Sequence, residues 1–189
     1  TPPPPGAPAR RPPTIPGAEH VNPLTEKQIR SSFVNASRRE AAQATLPDLA
    51  RLDVDRLDLL GWRDRRVPAA AYVVLELDSV LTGVLLRAGT PPRTPRRTLC
   101  AWCQDLASTD ATLYVARRAG ADGRAGNSVG TLICTGFDCS AHVRRPPVGA
   151  ELGTAGDADA DLLEAVTRER VDGLRERSAR FVREVLRVR

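Results

Sequence analysis

The chain has 189 residues, 41% of them hydrophobic and 4% aromatic, with a formal net charge of +5. That length suffices for one globular domain with extensions and a modest core, and because no apolar run approaches about 18 residues, a membrane-spanning helix is excluded. Of its 28 basic residues only Lys27 is a lysine; arginine richness of this kind follows a GC-rich coding bias, so the charge argues only modestly for an anionic partner such as RNA or for an acidic protein face.

Residues Thr1 to Gly17 hold eight of the sixteen prolines and read as a solvated, polyproline-type tail, with residues 1–21 set outside the folded part. The absence of methionine, a starting one included, reads as a processed N-terminus. Order is expected from Asn22. Thr25-Glu26-Lys27-Gln28 is a capping box that starts a helix, and Ile29, Phe33, Ala36, Ala41 and Ala44 continue its apolar face as one helix up to Pro47, with Arg30, Arg38, Arg39 and Glu40 on the wet side. A second short helix is expected from Leu49, Leu52, Leu57 and Leu60, stopping at Gly61. Trp62 follows as a core plug whose indole N–H needs a partner. Ala70–Leu77 and Val80–Arg87, parted by Asp78-Ser79, read as a β-hairpin covered on both faces, because both runs are nearly continuous in apolar residues. Residues Gly89 to Thr98 form a proline-broken loop bearing Arg93, Arg96 and Arg97.

The four cysteines, Cys100, Cys103, Cys134 and Cys139, fall into a Cys-x-x-Cys pair and a Cys-x4-Cys pair with thirty residues between them. Three chemistries compete for them. A zinc site uses all four, since each tight pair aims two thiolates at one point and two such turns complete the tetrahedron zinc prefers. A disulfide framework needs an oxidising compartment, and no apolar signal-peptide stretch is visible. A thioredoxin-like redox motif uses one pair and leaves the other unexplained. Zinc is the reading that employs every cysteine. His142, in Cys139-Ser-Ala-His142, also stands at a ligand spacing but is set aside as a bystander, four sulfurs already filling the shell.

After the first pair, Thr112–Arg118 reads as a strand, Ala119–Ser128 as a glycine-rich reversal and Val129–Cys134 as the returning strand; Phe137–Val143 then starts a short helix carrying Cys139. A knuckle, a hairpin and a ligand-bearing helix describe a treble clef. The glycine-rich tip is no phosphate loop, since it lacks Gly-Lys-Ser/Thr and a following helix. Residues 146–159 are a Pro, Gly and Ala linker. Residues 160–189 form an amphipathic helix with Leu163, Val166, Arg170, Leu174, Phe181, Val185 and Val188 along one stripe and Leu162, Val171, Val182 and Leu186 widening it, as suits a helix docked on its own domain. The fold class is therefore α+β: a treble-clef zinc finger in residues 22–145 with β-hairpins packed by N- and C-terminal helices.

The strings LTEKQIRSSFVNASRREA, LGWRD and GTLICTGFDCSAHVR, with the cysteine framework, resemble the FBP family, that of the C-terminal zinc domain of FusB-type elongation factor G-binding proteins. The resemblance implies a non-enzymatic protein that binds elongation factor G and helps free it from ribosomes on which fusidic acid has trapped it. It implies zinc on Cys100, Cys103, Cys134 and Cys139, and a contact surface around the knuckle and hairpin, which here offers Trp102, Arg117, Arg118 and Arg124. The arginines of the preceding loop, Arg93, Arg96 and Arg97, are expected to join that surface because they are held beside a rigid metal site. The family's knuckle aromatic directly follows the first cysteine; this chain has Ala101 there and places its aromatic at Trp102. The alternative is a zinc finger that binds RNA or a ribosomal subunit directly, a reading weakened by the lack of surface aromatics on which bases stack. Two histidines and no open metal position argue against an enzyme with a small-molecule substrate. A cytoplasmic location, away from membranes, follows from these expectations.

Overall fold

A computed structural model describes residues 24–89, 97–146 and 160–187. Its frame is one antiparallel meander of five strands in sequence order: β1 (Leu60–Arg63), β2 (Ala70–Leu77), β3 (Val80–Ala88), β4 (Ala111–Arg117) and β5 (Ser128–Cys134). The central hairpin is as expected from sequence. Asp78 and Ser79 both take positive φ, 49° and 63°, the conformation that matches the right-handed strand twist in a two-residue turn, and register runs from Leu77↔Val80 to Ala70↔Arg87.

Both faces of this hairpin are covered, and the alternation of side chains sorts them into two cores. Ala71, Val73, Leu75, Leu77, Val84 and Leu86 pack with the cysteines and the C-terminal helix. Ala70, Tyr72, Val74 and Leu85 turn the other way, joining Ile29, Ala44, Leu60 and Trp62. A one-residue slip in register would exchange the two sets.

The N-terminal region that covers the second core is two helices rather than one: α1 (Glu26–Ser32) and α2 (Arg38–Gln43). The Thr25 capping box forms as expected. The break has a physical cause in the sheet. Phe33 forms a parallel bridge with Gly83, where a Cβ would lie 2.5 Å from the Ser32 Oγ, so glycine lets the chain come close enough for the Val34 N–H to reach the Gly83 carbonyl at 2.9 Å. Asn35 then holds two strands at once: its amide group donates to the Leu85 and Arg117 carbonyls at 3.0 and 2.9 Å and its oxygen accepts from the Leu85 N–H at 2.8 Å. That matters because β3 and β4 pair only at Arg87↔Val115 and Ala88↔Tyr114. A second capping box, Ser37 with Glu40, restarts the helix, and Arg30, expected on a solvated rim, donates to the final carbonyls of α2 at Ala41 and Ala42.

The expected helix ending at Gly61 is also corrected. Leu49–Arg51 and Val54–Arg56 are single 3-10 turns, and Gly61 lies within β1, where a Cβ would meet the Phe137 ring at 2.4 Å. The glycine is there for a ring, not for a helix stop. Trp62 is the core plug the sequence suggested: its Nε1 donates to the Thr45 carbonyl at 2.9 Å and it stacks on Tyr72, centroids 5.0 Å apart.

On the first core lies α5 (Ala160–Leu186). Its C-terminal half docks as expected, burying Leu174, Phe181, Val182 and Val185, with Val171 packed alongside. Its N-terminal half departs from expectation: Leu162 is 40% exposed and Leu163 and Val166 are half-buried. Length explains it, since 27 helical residues span about 40 Å and an eight-residue strand only about 26 Å. Val188 lies outside the described residues, as do the expected tail at 1–21 and the linker residues after Pro146. No described helix is long and apolar enough to cross a membrane.

Asp64, directly after β1, is buried at 3% exposure and ties the second core together. Its carboxylate accepts N–H groups from Thr45, Arg66 and Val67 at 2.9, 2.7 and 3.0 Å. Burial alone would raise its pKa, but these three donors outweigh it and hold the carboxyl below its ordinary value. Burial, followed by this carboxylate, pushes the Tyr72 hydroxyl up to about 12. Because the folded Asp64 value lies under its unfolded value of about 3.9, the stability it supplies is complete above that pH and is lost as pH falls through the folded value. Asp64→Asn should therefore cost about 1–3 kcal/mol at neutral pH and flatten the acid limb of a pH–denaturation series; equal acid sensitivity in the two proteins would contradict this role.

Candidate metal centre

Each cysteine reaches the cluster from a different piece of local geometry. Cys100 and Cys103 flank a tight turn closed by the Gln104 N–H on the Cys100 carbonyl at 3.1 Å, with Gln104 at φ 54°. The backbone N–H groups of Trp102 and Cys103 point inward at the Cys100 sulfur, 3.3 and 3.4 Å away, and the Ala101 N–H pins the knuckle to the Leu132 carbonyl of β5 at 2.9 Å. Cys134 ends β5. The chain then reverses at Phe137, whose φ is 63°, and Cys139 opens α4 (Cys139–His142), the ligand-bearing helix expected from sequence.

The four Sγ atoms lie within 4.8 Å of one another, with Cys100 to Cys139 at 3.7 Å and Cys103 to Cys134 at 3.5 Å. All four cysteines are free and buried. Those separations match the edge of a sulfur tetrahedron, about 3.8 Å for a Zn–S distance of about 2.3 Å. Left to protons alone, the four thiols divide. Hydrogen bonds, first from Cys103 and then from Cys134 and Cys139, hold the Cys100 thiol far below the usual range. Against an upward push from Cys100, hydrogen bonds from Cys134 and Cys139 bring Cys103 down to about 6. Cys134 and Cys139 are pushed far up, foremost by hydrogen bonding to Cys100. Four thiolates cannot coexist in this volume without a cation, and a divalent ion in their midst removes the conflict.

A family model described as the FBP C-terminal treble-clef zinc-finger matches residues 28–185. The chain belongs to that family. The fold is accordingly an α+β treble-clef zinc finger, and the cofactor that its four buried cysteines are able to bind is zinc. The donor set is that of a closed structural site. No curated protein matches the chain.

Two residues expected on the contact surface of this FBP zinc finger are internal instead. Trp102 is 2% exposed; its indole faces Phe181 with centroids 5.6 Å apart, and its carbonyl accepts the Arg177 Nε at 2.6 Å. The knuckle is roofed by α5, which gives the ring an apolar bed. Arg118 is 7% exposed and ion-paired to Glu184 at 2.5 Å, while also donating to the Glu184 and Arg187 carbonyls, so this cation serves the C-terminal end of α5. Arg97, Arg117 and Arg124 are exposed; Arg93 and Arg96 lie outside the described residues. The glycine-rich reversal holds a short helix, α3 (Gly120–Arg124), that periodicity did not suggest. Gly123 is required there because a Cβ would overlap the Arg118 carbonyl at 1.8 Å.

Sequence reasoning missed the acid behind the ligand helix. The Asp58 side chain is fully buried and receives both arms of the Arg144 guanidinium and the Arg175 Nε at 2.9 Å. Its backbone N–H donates to the Ser140 Oγ at 3.0 Å. One carboxylate thus binds the chain before β1, the end of α4 and the middle of α5, fixing the helix that carries Cys139. Nothing in the spacing of Leu57-Asp58-Leu59 marks it, since its partners lie 86 and 117 residues away.

Two outcomes follow for the zinc site. Chelation of the metal, or Cys139→Ser, should abolish the cooperative thermal transition, since zinc binding of about 10–16 kcal/mol is folding energy in a domain this small; an unchanged melting temperature after metal loss would contradict it. Asp58→Ala leaves two arginines facing a vacated acid and should cost about 3–5 kcal/mol in denaturant unfolding, and a loss under about 0.5 kcal/mol would show the clamp to be ornamental.

Proposed function

We propose that this chain is a non-enzymatic, zinc-stabilised binding protein whose partner is elongation factor G, and that it modulates the factor's release from the ribosome as FusB-type proteins do. Family membership supports the binding role, and a four-sulfur shell leaves zinc no coordination position for a substrate. The partner itself comes from the resemblance of the sequence to FusB-type domains.

One observation carries the choice of surface. The helices α1 and α2 cover the outer face of β2 and β3; on the same face of β4 and β5 Leu113 is exposed, while Val115 and Leu132 are half-buried. Register places Leu113 opposite Leu132 and Val115 opposite Arg87, so Leu113, Val115 and Leu132 share a side with Arg87 and Arg117. Leu113 is 47% exposed and Leu99 43%. Apolar centre and arginine rim together are the composition of a protein-binding patch. The Arg117 side chain pairs with Glu40 at 2.9 Å and is 51% exposed; such a surface pair is worth at most about 1 kcal/mol, so an acidic partner can draw it away. With Trp102 and Arg118 committed to the interior, the contact residues of this proposal are Arg97, Arg117 and Arg124 with Leu99 and Leu113. Binding there acts on the factor through differential affinity for its free and ribosome-bound conformations.

The test is the affinity of the zinc-loaded protein for purified elongation factor G across a salt series, for wild type and for a Leu113→Asp, Arg117→Glu variant. The expected result is binding that weakens modestly with salt and falls at least about tenfold in the variant. Absence of binding would sink the partner assignment. Tight binding to ribosomal RNA with a steep salt dependence would install the direct RNA-binding alternative in its place.

A further inference from the structure

The zinc site has a fifth donor at its edge. His142 Nδ1 lies 3.3 Å from the Cys134 Sγ and 3.9 Å from the Cys103 Sγ, and those two sulfurs are 3.5 Å apart. The three atoms form a triangle whose sides match the ligand-to-ligand spacing of a tetrahedral zinc site, about 3.8 Å for four sulfurs. The four-sulfur group does not include His142. Its nitrogen sits outside one edge of the tetrahedron, not at its centre.

We propose that His142 is a reserve zinc ligand, taking the place of Cys134 when that thiolate is lost and converting a four-cysteine site into a three-cysteine, one-histidine site. Three observations support this. His142 does not depend on Cys134 for its position: it belongs to α4, begun by Cys139 and held by the His142 N–H on the Asp138 carbonyl at 2.9 Å and by the Asp58–Arg144 clamp. The imidazole has room to move, because His142 and Cys103 line a cleft of about 200 Å³ together with Gln104, Glu169 and Arg177. Three cysteines and one histidine are, besides, a standard structural zinc set.

While all four thiolates are in place, Nδ1 faces the Cys134 sulfur at 3.3 Å, where an N–H would disperse part of the double negative charge of the four-thiolate centre. When Cys134 is lost, the proton moves to Nε2 and the Nδ1 lone pair takes the vacated corner. Among the described residues, no comparable donor contacts the Cys100 or Cys139 sulfur. Of the four cysteines Cys103 lines the cleft, together with His142, so the spare donor stands on the side that a reagent from solvent reaches.

The experiment is cobalt binding, by titration and visible spectroscopy, on Cys134→Ala, Cys100→Ala, Cys139→Ala and Cys134→Ala/His142→Ala. Cys134→Ala is expected to bind one equivalent, with thiolate charge-transfer absorption reduced by about a quarter and affinity at least about tenfold tighter than the other three variants. Equal weakening of Cys134→Ala, Cys100→Ala and Cys139→Ala, or no further loss on adding His142→Ala, would overturn the proposal. Should the alanine variants fail to fold, the folded zinc proteins are alkylated with iodoacetamide and followed by native mass spectrometry. Wild-type molecules modified at Cys134, as located by peptide mapping, should keep zinc and the matching His142→Ala molecules should not; release of zinc from that species in both proteins would equally overturn it.

Discussion

Four thiolates must meet at one point, and most of the first core is arranged by that demand. The knuckle brings two of them only because the Ala101 N–H is pinned to β5, the strand that ends in the third. The fourth arrives on a helix of four residues, too short to persist unaided. It is held on the domain by the buried Cys139 at one end, and by the Asp58 clamp and the buried Val143 at the other. The centre thus joins a turn, a strand end and a helix within one buried cluster. Scarcity of aromatics makes this division of labour reasonable, since a metal site supplies in one place what a small core cannot supply in area.

The long C-terminal helix depends on the same point. Its docking half lies over the knuckle through Trp102, Phe181 and Arg177, and beside its buried apolar stripe it is tied by charge: Arg175 to Asp58, and Glu184 to Arg118. Buried ion pairs contribute little net stability because desolvation offsets their attraction. They do punish the wrong arrangement, which leaves an unpaired charge inside. The pairs therefore fix where along its axis the helix sits, and the apolar stripe supplies the driving force. A wide stripe alone would allow sliding by a turn.

What was legible in the sequence follows from how local each feature is. The cysteine spacing, the Thr25 capping box, the Asp78-Ser79 turn and the docking face of α5 are written in residues close together, and each appears in the structure. The break in the N-terminal helix was half legible: Ser37-x-x-Glu40 is a second capping box, but what stops α1 is Gly83, some fifty residues on. The burial of Trp102 and Arg118 was not legible at all. An indole between two ligands and an arginine after a strand look exposed until a helix from beyond residue 159 is laid over them. Asp58 failed to show for the same reason, and Gly61, a plausible helix stop by local rules, is explained only by the Phe137 ring.

Those corrections move the proposed contact surface off the knuckle's aromatic and onto the open side of β4 and β5, leaving the metal to hold that hairpin in place from behind. What the metal touches decides whether the four cysteines organise this domain. Zinc K-edge X-ray absorption on the wild-type protein, purified without added metal, is the most direct measurement of it. The account predicts one zinc per chain with a single shell of four sulfurs at about 2.3 Å. Zinc bound through oxygen or a mixture of fewer sulfurs, or a folded protein with none, would contradict it.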